Sequence, residues 1–237
     1  MATALRSLRI VPTGALYLHE ATEPARVRRV AEQLRDAGCL RHPVLATPVA
    51  GRWLVLDGHH RATALRAAGV GGVLVQHVEL EESVRIGAWT HELSGPVVAP
   101  PDRPSYGRRV ARLVSPSGEY DILSGGTDLR SRVTAMWQLA GRYADRRYRR
   151  VTRNEPWGRA ASCRVEYATL SANDCLLLVA LGLTLPPGVT RFQASGRILD
   201  VCAPLEQLAA AGTDPGVADR LIGRLRSARP FHAEEAA

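Results

Sequence analysis

Apolar residues recur at Val27, Val30, Ala31, Leu34 and Ala37, the three- and four-residue spacing of a single helix face. Thr22 is a candidate N-cap for that helix, Pro24 suits its first turn, and Gly38 is a natural stop. Ahead of it, residues 6–18 read as one or two short strands around Pro12-Thr13-Gly14. Behind it, Val44–Val49 and Trp53–Leu56 read as strands joined at Ala50-Gly51-Arg52. A short helix over Ala62–Ala68 ends at Gly69, and Val73–Leu80 reads as another strand. This alternation predicts a compact α/β unit over residues 1–92.

Pro96, Pro100, Pro101 and Pro104 break the pattern and place a boundary there, with 93–237 as a second, mixed α/β part. In that part, Arg109–Leu123 reads as a hairpin turning at Pro116-Ser117-Gly118. Helices are expected over Asp128–Ala144, Ala172–Leu181 and Asp214–Ala228, the last with Val217, Leu221, Ile222 and Leu225 on one face. Arg164–Leu170 and Arg197–Pro204 read as strands, and the tail from Arg229 as frayed.

Composition narrows the chemistry. The 237 residues are 46% hydrophobic, enough for a core, with no run approaching the roughly 20 apolar residues of a membrane helix. The N-terminus lacks the apolar stretch of a secretory signal, so a cytoplasmic protein is expected. Cys39, Cys163, Cys175 and Cys202 form no C-x-x-C pair and are expected as buried, reduced thiols rather than zinc ligands. The net charge is +8, and all 31 basic residues are arginine. Without lysine there is no Schiff base to pyridoxal phosphate, no lysine nucleophile and no G-x-x-x-x-G-K-[ST] loop. The densest basic run, Arg142, Arg146, Arg147, Arg149, Arg150 and Arg153, has little aromatic interleaving and reads as a solvated surface. Nucleic acid and membrane are therefore not among the expected partners.

Asp57-Gly58-His59-His60-Arg61 is the densest chemical segment: a strand ends in it and a helix starts from it. The first turn of a helix offers backbone N–H groups and a partial positive charge to an anion. Gly58 permits close approach of a ligand, Arg61 offers a planar fork for phosphate, and His59 and His60 can add donors. Asp57 is a candidate for Mg2+ or a ligand hydroxyl.

This segment resembles the strand–G-x-x-R–helix site of the ParB/sulfiredoxin superfamily. Sulfiredoxins need a cysteine where this chain has His59. ParB nucleotide-switch proteins read differently here and continue into a helix-turn-helix, which is not evident after residue 92. Free L-serine kinases of the superfamily read D-G-H-H-R, matching Asp57–Arg61 throughout. Leu18-His19-Glu20, Gly38-x-Leu40-x-x-Pro43-Val44, Leu185–Phe192, Ser195–Leu199 and Pro204-Leu205-Glu206 extend the resemblance.

The resemblance implies a kinase whose active site lies in the cleft between its two parts. It implies phosphoryl transfer from ATP or ADP, with Mg2+, to the hydroxyl of free L-serine or a close analogue. Glu20 would be the base, with Asp57 beside it; Gly58, His59, His60 and Arg61 would hold the nucleotide phosphates. Trp89, Thr190 and Arg191 would bind the amino acid. A nucleotide-dependent regulator that binds DNA is the alternative. Two positions depart from the family run, on its substrate and phosphate side: Gly188 replaces a lysine and Phe192 a histidine.

Overall fold

The computed structural model describes residues 7–95, 104–227 and 232–234; the prolines at 96, 100 and 101 and most of the tail beyond 229 lie outside the described residues. The chain divides into two compact units, 1–85 with 192–237, and 86–191. This differs from the expected boundary at 92/93, because the C-terminal segment returns to the first unit.

The first unit opens with β1 (Leu8–Pro12), a short 3-10 turn and β2 (Leu16–Leu18). Helix α1 (Pro24–Ala37) follows; Glu23 rather than Thr22 is its N-cap, and Gly38 closes it with φ 63°. Then come β3 (Cys39–Leu40), β4 (Val44–Val49), β5 (Arg52–Asp57), α2 (His59–Ala67) and β6 (Gly72–His77). One sheet runs in the order β1-β6-β4-β5-β2. Strand β5 is antiparallel to β4 but parallel to β2, with Leu18 opposite Val55. Parallel pairing brings the C-terminal ends of β2 and β5 to one edge, where His19-Glu20 and Asp57-Gly58 follow.

The chain enters the second unit through β7 (Val84–Ala88) and returns through β13 (Thr190–Ala194), which pair with each other. Between them lie β8 (Thr90–Leu93), β9 (Arg109–Ser115), β10 (Gly118–Leu123), α3 (Leu129–Gly141), β11 (Tyr148–Val151), β12 (Cys163–Tyr167) and α4 (Ala172–Leu181). They make an antiparallel sheet in the order β10-β9-β12-β8-β11. The hairpin and both helices lie close to the expected positions. Asp128 caps α3 through the Ser131 N–H, and Ser171 with Asp174 forms a capping box on α4.

Back in the first unit, the single strand expected over Arg197–Pro204 is broken into β14 (Arg197–Leu199) and β15 (Ala203–Pro204). Asp200 and Cys202 take positive φ values of 59° and 44°, which end the extended run. Helix α5 (Leu205–Ala211) and α6 (Pro215–Ser227) follow, and β16 (His232–Glu234) pairs with β14. Ile198, Leu208, Leu221 and Leu225 pack in one core with Val44, Val73 and Val75 of the first sheet. The α/β class expected from the sequence is what the chain adopts.

Cys39 and Cys202 are paired as a disulfide, which corrects the expectation of four free thiols; Cys163 and Cys175 are free and buried. The two cysteines are 163 positions apart and meet because β15 pairs with β3. No local spacing announces such a pair.

The return segment also docks backbone against backbone at Gly212 and Gly71-Gly72. A Cβ on Gly212 would stand 2.6 Å from the Gly72 nitrogen, and one on Gly72 2.5 Å from the Leu208 carbonyl oxygen. Neither neighbour can swing aside as a side chain would. Gly212→Ala is expected to cost about 1–3 kcal/mol and lower Tm by several degrees in thermal unfolding. Gly141→Ala, with nothing within 4 Å of the added carbon, is the control and should leave Tm unchanged or raised.

Candidate active site

In the first unit the site is built on the β5–α2 junction. Gly58 is the N-cap of α2 at φ 101°, and no side chain caps the helix. A Cβ there would meet Arg61 Nη2 at 2.9 Å and Val44 Cγ2 at 3.2 Å. Glycine thus serves two needs, the left-handed backbone and the seat of the guanidinium. Arg61 donates to Asp57 Oδ2 at 3.1 Å and reaches the Pro43 carbonyl at 3.5 Å.

Arg197, which the sequence reading did not place in the site, joins them. Its Nη2 donates to Asp57 Oδ2 at 2.7 Å and to the Pro43 carbonyl at 3.0 Å. The one available signal was the Ser195-Gly196-Arg197 run, noted as a likeness without a role. Gln76 holds that run by donating to the Gly196 carbonyl and accepting from the Ile198 N–H, both at 2.9 Å. Desolvation opposes ionisation of Asp57, but Arg61 and Arg197 outweigh it and hold the carboxyl at about 2. Two guanidinium groups against one carboxylate, at an uncapped helix N-terminus, leave the turn net positive and suited to an anion.

The histidines take internal positions. His19 is fully buried; its Nδ1–H donates to the Val55 carbonyl at 2.6 Å, and the same nitrogen lies 3.1 Å from His59 Nε2. The Phe192 ring stands edge-on to His19, with centroids 5.4 Å apart. Burial lowers both histidine pKa values, that of His59 well below 6.5, so the pair is neutral at pH 7. His60 Nε2 accepts the Glu23 N–H at 3.2 Å, and burial with nearby Arg26 lowers its pKa to about 4. His60 thus fastens the start of α1 to α2. Glu20 is 7% exposed and follows His19 directly, beside the residue that touches the first turn of α2.

Of the sequence-predicted residues, Glu20, Asp57, Gly58, His59, His60 and Arg61 gather in this unit. Trp89, Thr190 and Arg191 belong to the second. There the backbone N–H of Trp89 donates to the Val189 carbonyl at 2.9 Å, and the Arg191 guanidinium lies over the indole, 5.0 Å from its centroid. Thr190 is buried. Among the described residues no cluster of three or more His, Cys, Asp or Glu could hold a metal ion, and no helix is long and apolar enough to cross a membrane. Asp57 can offer at most one carboxylate to a cation, which fits Mg2+ carried by nucleotide phosphates rather than a protein-held ion.

Two arginines of the run 142–153 are ion-paired, both with exposed side chains. Arg149 pairs with Glu92 at 3.0 Å and Glu155 at 2.8 Å, and Arg153 with Glu166 at 3.0 Å. Glu92, buried, also takes Arg164 at 2.7 Å.

No family model matches the chain. Over 213 residues, 85% of this chain and 84% of its relative, the sequence is 29% identical to the ATP-dependent L-serine kinase SbnI of Staphylococcus aureus. A stretch of 93 residues is 28% identical to an ATP-dependent L-serine kinase of Staphylothermus marinus, covering 37% of this chain and 36% of that one. The solved structure of SbnI with a C-terminal truncation matches with a TM-score of 0.78 at 23% identity, over 96% of this chain and 99% of that one. A free serine kinase in complex with AMP matches with a TM-score of 0.67 at 15% identity, over 85% and 93%. At these identities the solved structures establish the fold. The resemblance to free L-serine kinases drawn from Asp57–Arg61 is borne out by the curated relatives.

Arg197→Met should raise the Asp57 pKa from about 2 toward its ordinary 3.8, read by carboxyl NMR titration. Because the folded value lies below the unfolded one, the carboxylate stabilises the protein above about pH 4 and ceases to as pH falls toward 2. The variant should therefore show a shallower loss of stability across that window. An unmoved Asp57 would mean that Arg61 alone holds it.

Proposed function

We propose that this chain, a relative of the free L-serine kinases, transfers the γ-phosphoryl group of ATP to the hydroxyl of free L-serine, giving O-phospho-L-serine and ADP. One observation carries the reading: the uncapped first turn of α2, with Arg61 and Arg197 on Asp57, lies beside the segment bearing a buried carboxylate at Glu20. The curated relatives that match are named ATP-dependent, which favours ATP over ADP as donor.

A serine hydroxyl is a weak nucleophile at neutral pH and needs a base as it attacks phosphorus. Glu20 accepts that proton while the serine oxygen bonds to the γ-phosphorus and the bond to the β-phosphate oxygen breaks. The rest of phosphoryl transfer is positioning and charge neutralisation. Gly58 and the N–H groups behind it receive phosphate oxygens, and Arg61 and Arg197 offset their charge. His59 is neutral and orients the turn against His19 rather than adding charge. Mg2+ carried by the nucleotide would supply further neutralisation, and Asp57 is the carboxylate of this turn that could hold it. In the second unit, Thr190 and Arg191 offer a hydroxyl and a cation suited to an amino acid, with Trp89 beneath Arg191.

Incubation with L-serine, Mg2+ and ATP should yield O-phosphoserine by mass spectrometry, with ADP and L-threonine as comparison substrates. Glu20→Gln should lower kcat by about 100-fold or more while adenine nucleotide still binds in calorimetry. A variant that keeps full turnover removes Glu20 from the mechanism, and a wild-type protein that forms no phosphoserine from either nucleotide overturns the function.

A further inference from the structure

The loop Pro186-Pro187-Gly188-Val189 is held from two strands of the second unit. The Gly188 carbonyl accepts from His91 Nε2 at 2.7 Å, and the Pro187 carbonyl accepts from the Tyr148 hydroxyl at 3.3 Å. His91 stacks on Tyr148 with ring centroids 4.0 Å apart. Since His91 donates through Nε2, its Nδ1 accepts from the Tyr143 hydroxyl at 2.9 Å, which in turn accepts from Tyr167 at 2.6 Å. The loop is therefore rigid immediately before Thr190 and Arg191.

At its tip, Gly188 has φ +74° and no side chain, and Arg150 fills the space. A Cβ on Gly188 would stand 2.9 Å from Arg150 Cδ and 3.4 Å from its Nη1. Arg150 lies opposite His91 in the β11–β8 register. It is half-buried, and among the described residues it has no ion pair, whereas its neighbours Arg149 and Arg153 and the nearby Arg164 are all matched with Glu92, Glu155 or Glu166. A half-buried guanidinium is costly to leave unmatched, and its planar fork suits a carboxylate.

We infer that Arg150, laid across Gly188, grips the α-carboxylate of the amino-acid substrate. This rests on the kinase reading and adds a specificity residue to it: β11 delivers from outside the loop the cation that residue 188 cannot carry. It makes the free carboxylate, and not the hydroxyl alone, a determinant of how tightly the substrate binds.

The test compares L-serine with L-serinamide, which keeps the hydroxyl and lacks the negative charge. Phosphoryl transfer by the wild-type protein tests the underlying reading; the Arg150 variants test the inference separately. Arg150→Met should raise KM for L-serine by about tenfold or more, while leaving KM for ATP and for L-serinamide within about twofold. Arg150→Lys, which keeps the charge and loses the fork, should fall between. An unchanged KM for L-serine overturns the inference. So does an equal rise for both acceptors, which marks a structural role, or a rise confined to ATP, which assigns the cation to the nucleotide. Should Arg150→Met not fold, the Arg150→Lys variant decides on the same criteria.

Discussion

One carboxylate, that of Asp57, holds two guanidinium groups, and the first unit is arranged so that both reach it. Arg61 arrives locally, one helical turn further along α2. Arg197 arrives from 140 positions away, carried by a return segment whose Ile198, Leu208, Leu221 and Leu225 are buried in the same core as Val44, Val73 and Val75. Removing Asp57 would leave two cations facing each other across the Pro43 carbonyl, without the charge that offsets them. The glycine before the helix belongs to the same constraint, because any side chain at 58 would collide with the Arg61 guanidinium.

The charge of this turn comes from arginine and the helix terminus and not from histidine. His19, His59 and His60 are all shifted toward the neutral form by burial; His19 meets the Val55 carbonyl and His59, and His60 accepts the Glu23 N–H. They act as struts: His19 joins β2 to β5 and to α2, and His60 joins α2 to the start of α1. The parallel pairing of β2 with β5 makes this possible, since it sets His19-Glu20 and Asp57-Gly58 at the same end of neighbouring strands.

In the second unit the organising group is also a carboxylate. Glu92 takes Arg149, Arg164 and the Gly158 N–H, and the ionised form is retained despite burial because these donors outweigh the desolvation. Arg164 in turn lies over the Trp157 ring, 4.5 Å from its centroid. Of the basic run, Arg149 and Arg153 are thus matched with carboxylates, whereas half-buried Arg150 has no ion pair among the described residues.

Local order was legible without coordinates. The helix of Val27–Ala37, the hairpin around Pro116-Ser117-Gly118, the capped helices after Asp128 and Ser171, and the strand–turn–helix at Asp57–Arg61 each follow from periodicity, caps and turn residues that act over a few positions. What tertiary structure alone decided are the meetings of distant segments: Arg197 on Asp57, Cys39 with Cys202, Arg150 over Gly188, and the return of the C-terminal helices to the first core. Those depend on which apolar faces bury against each other across more than a hundred residues. No short-range pattern encodes that choice, nor does it announce the positive φ values at Asp200 and Cys202 that interrupt the strand expected over Arg197–Pro204.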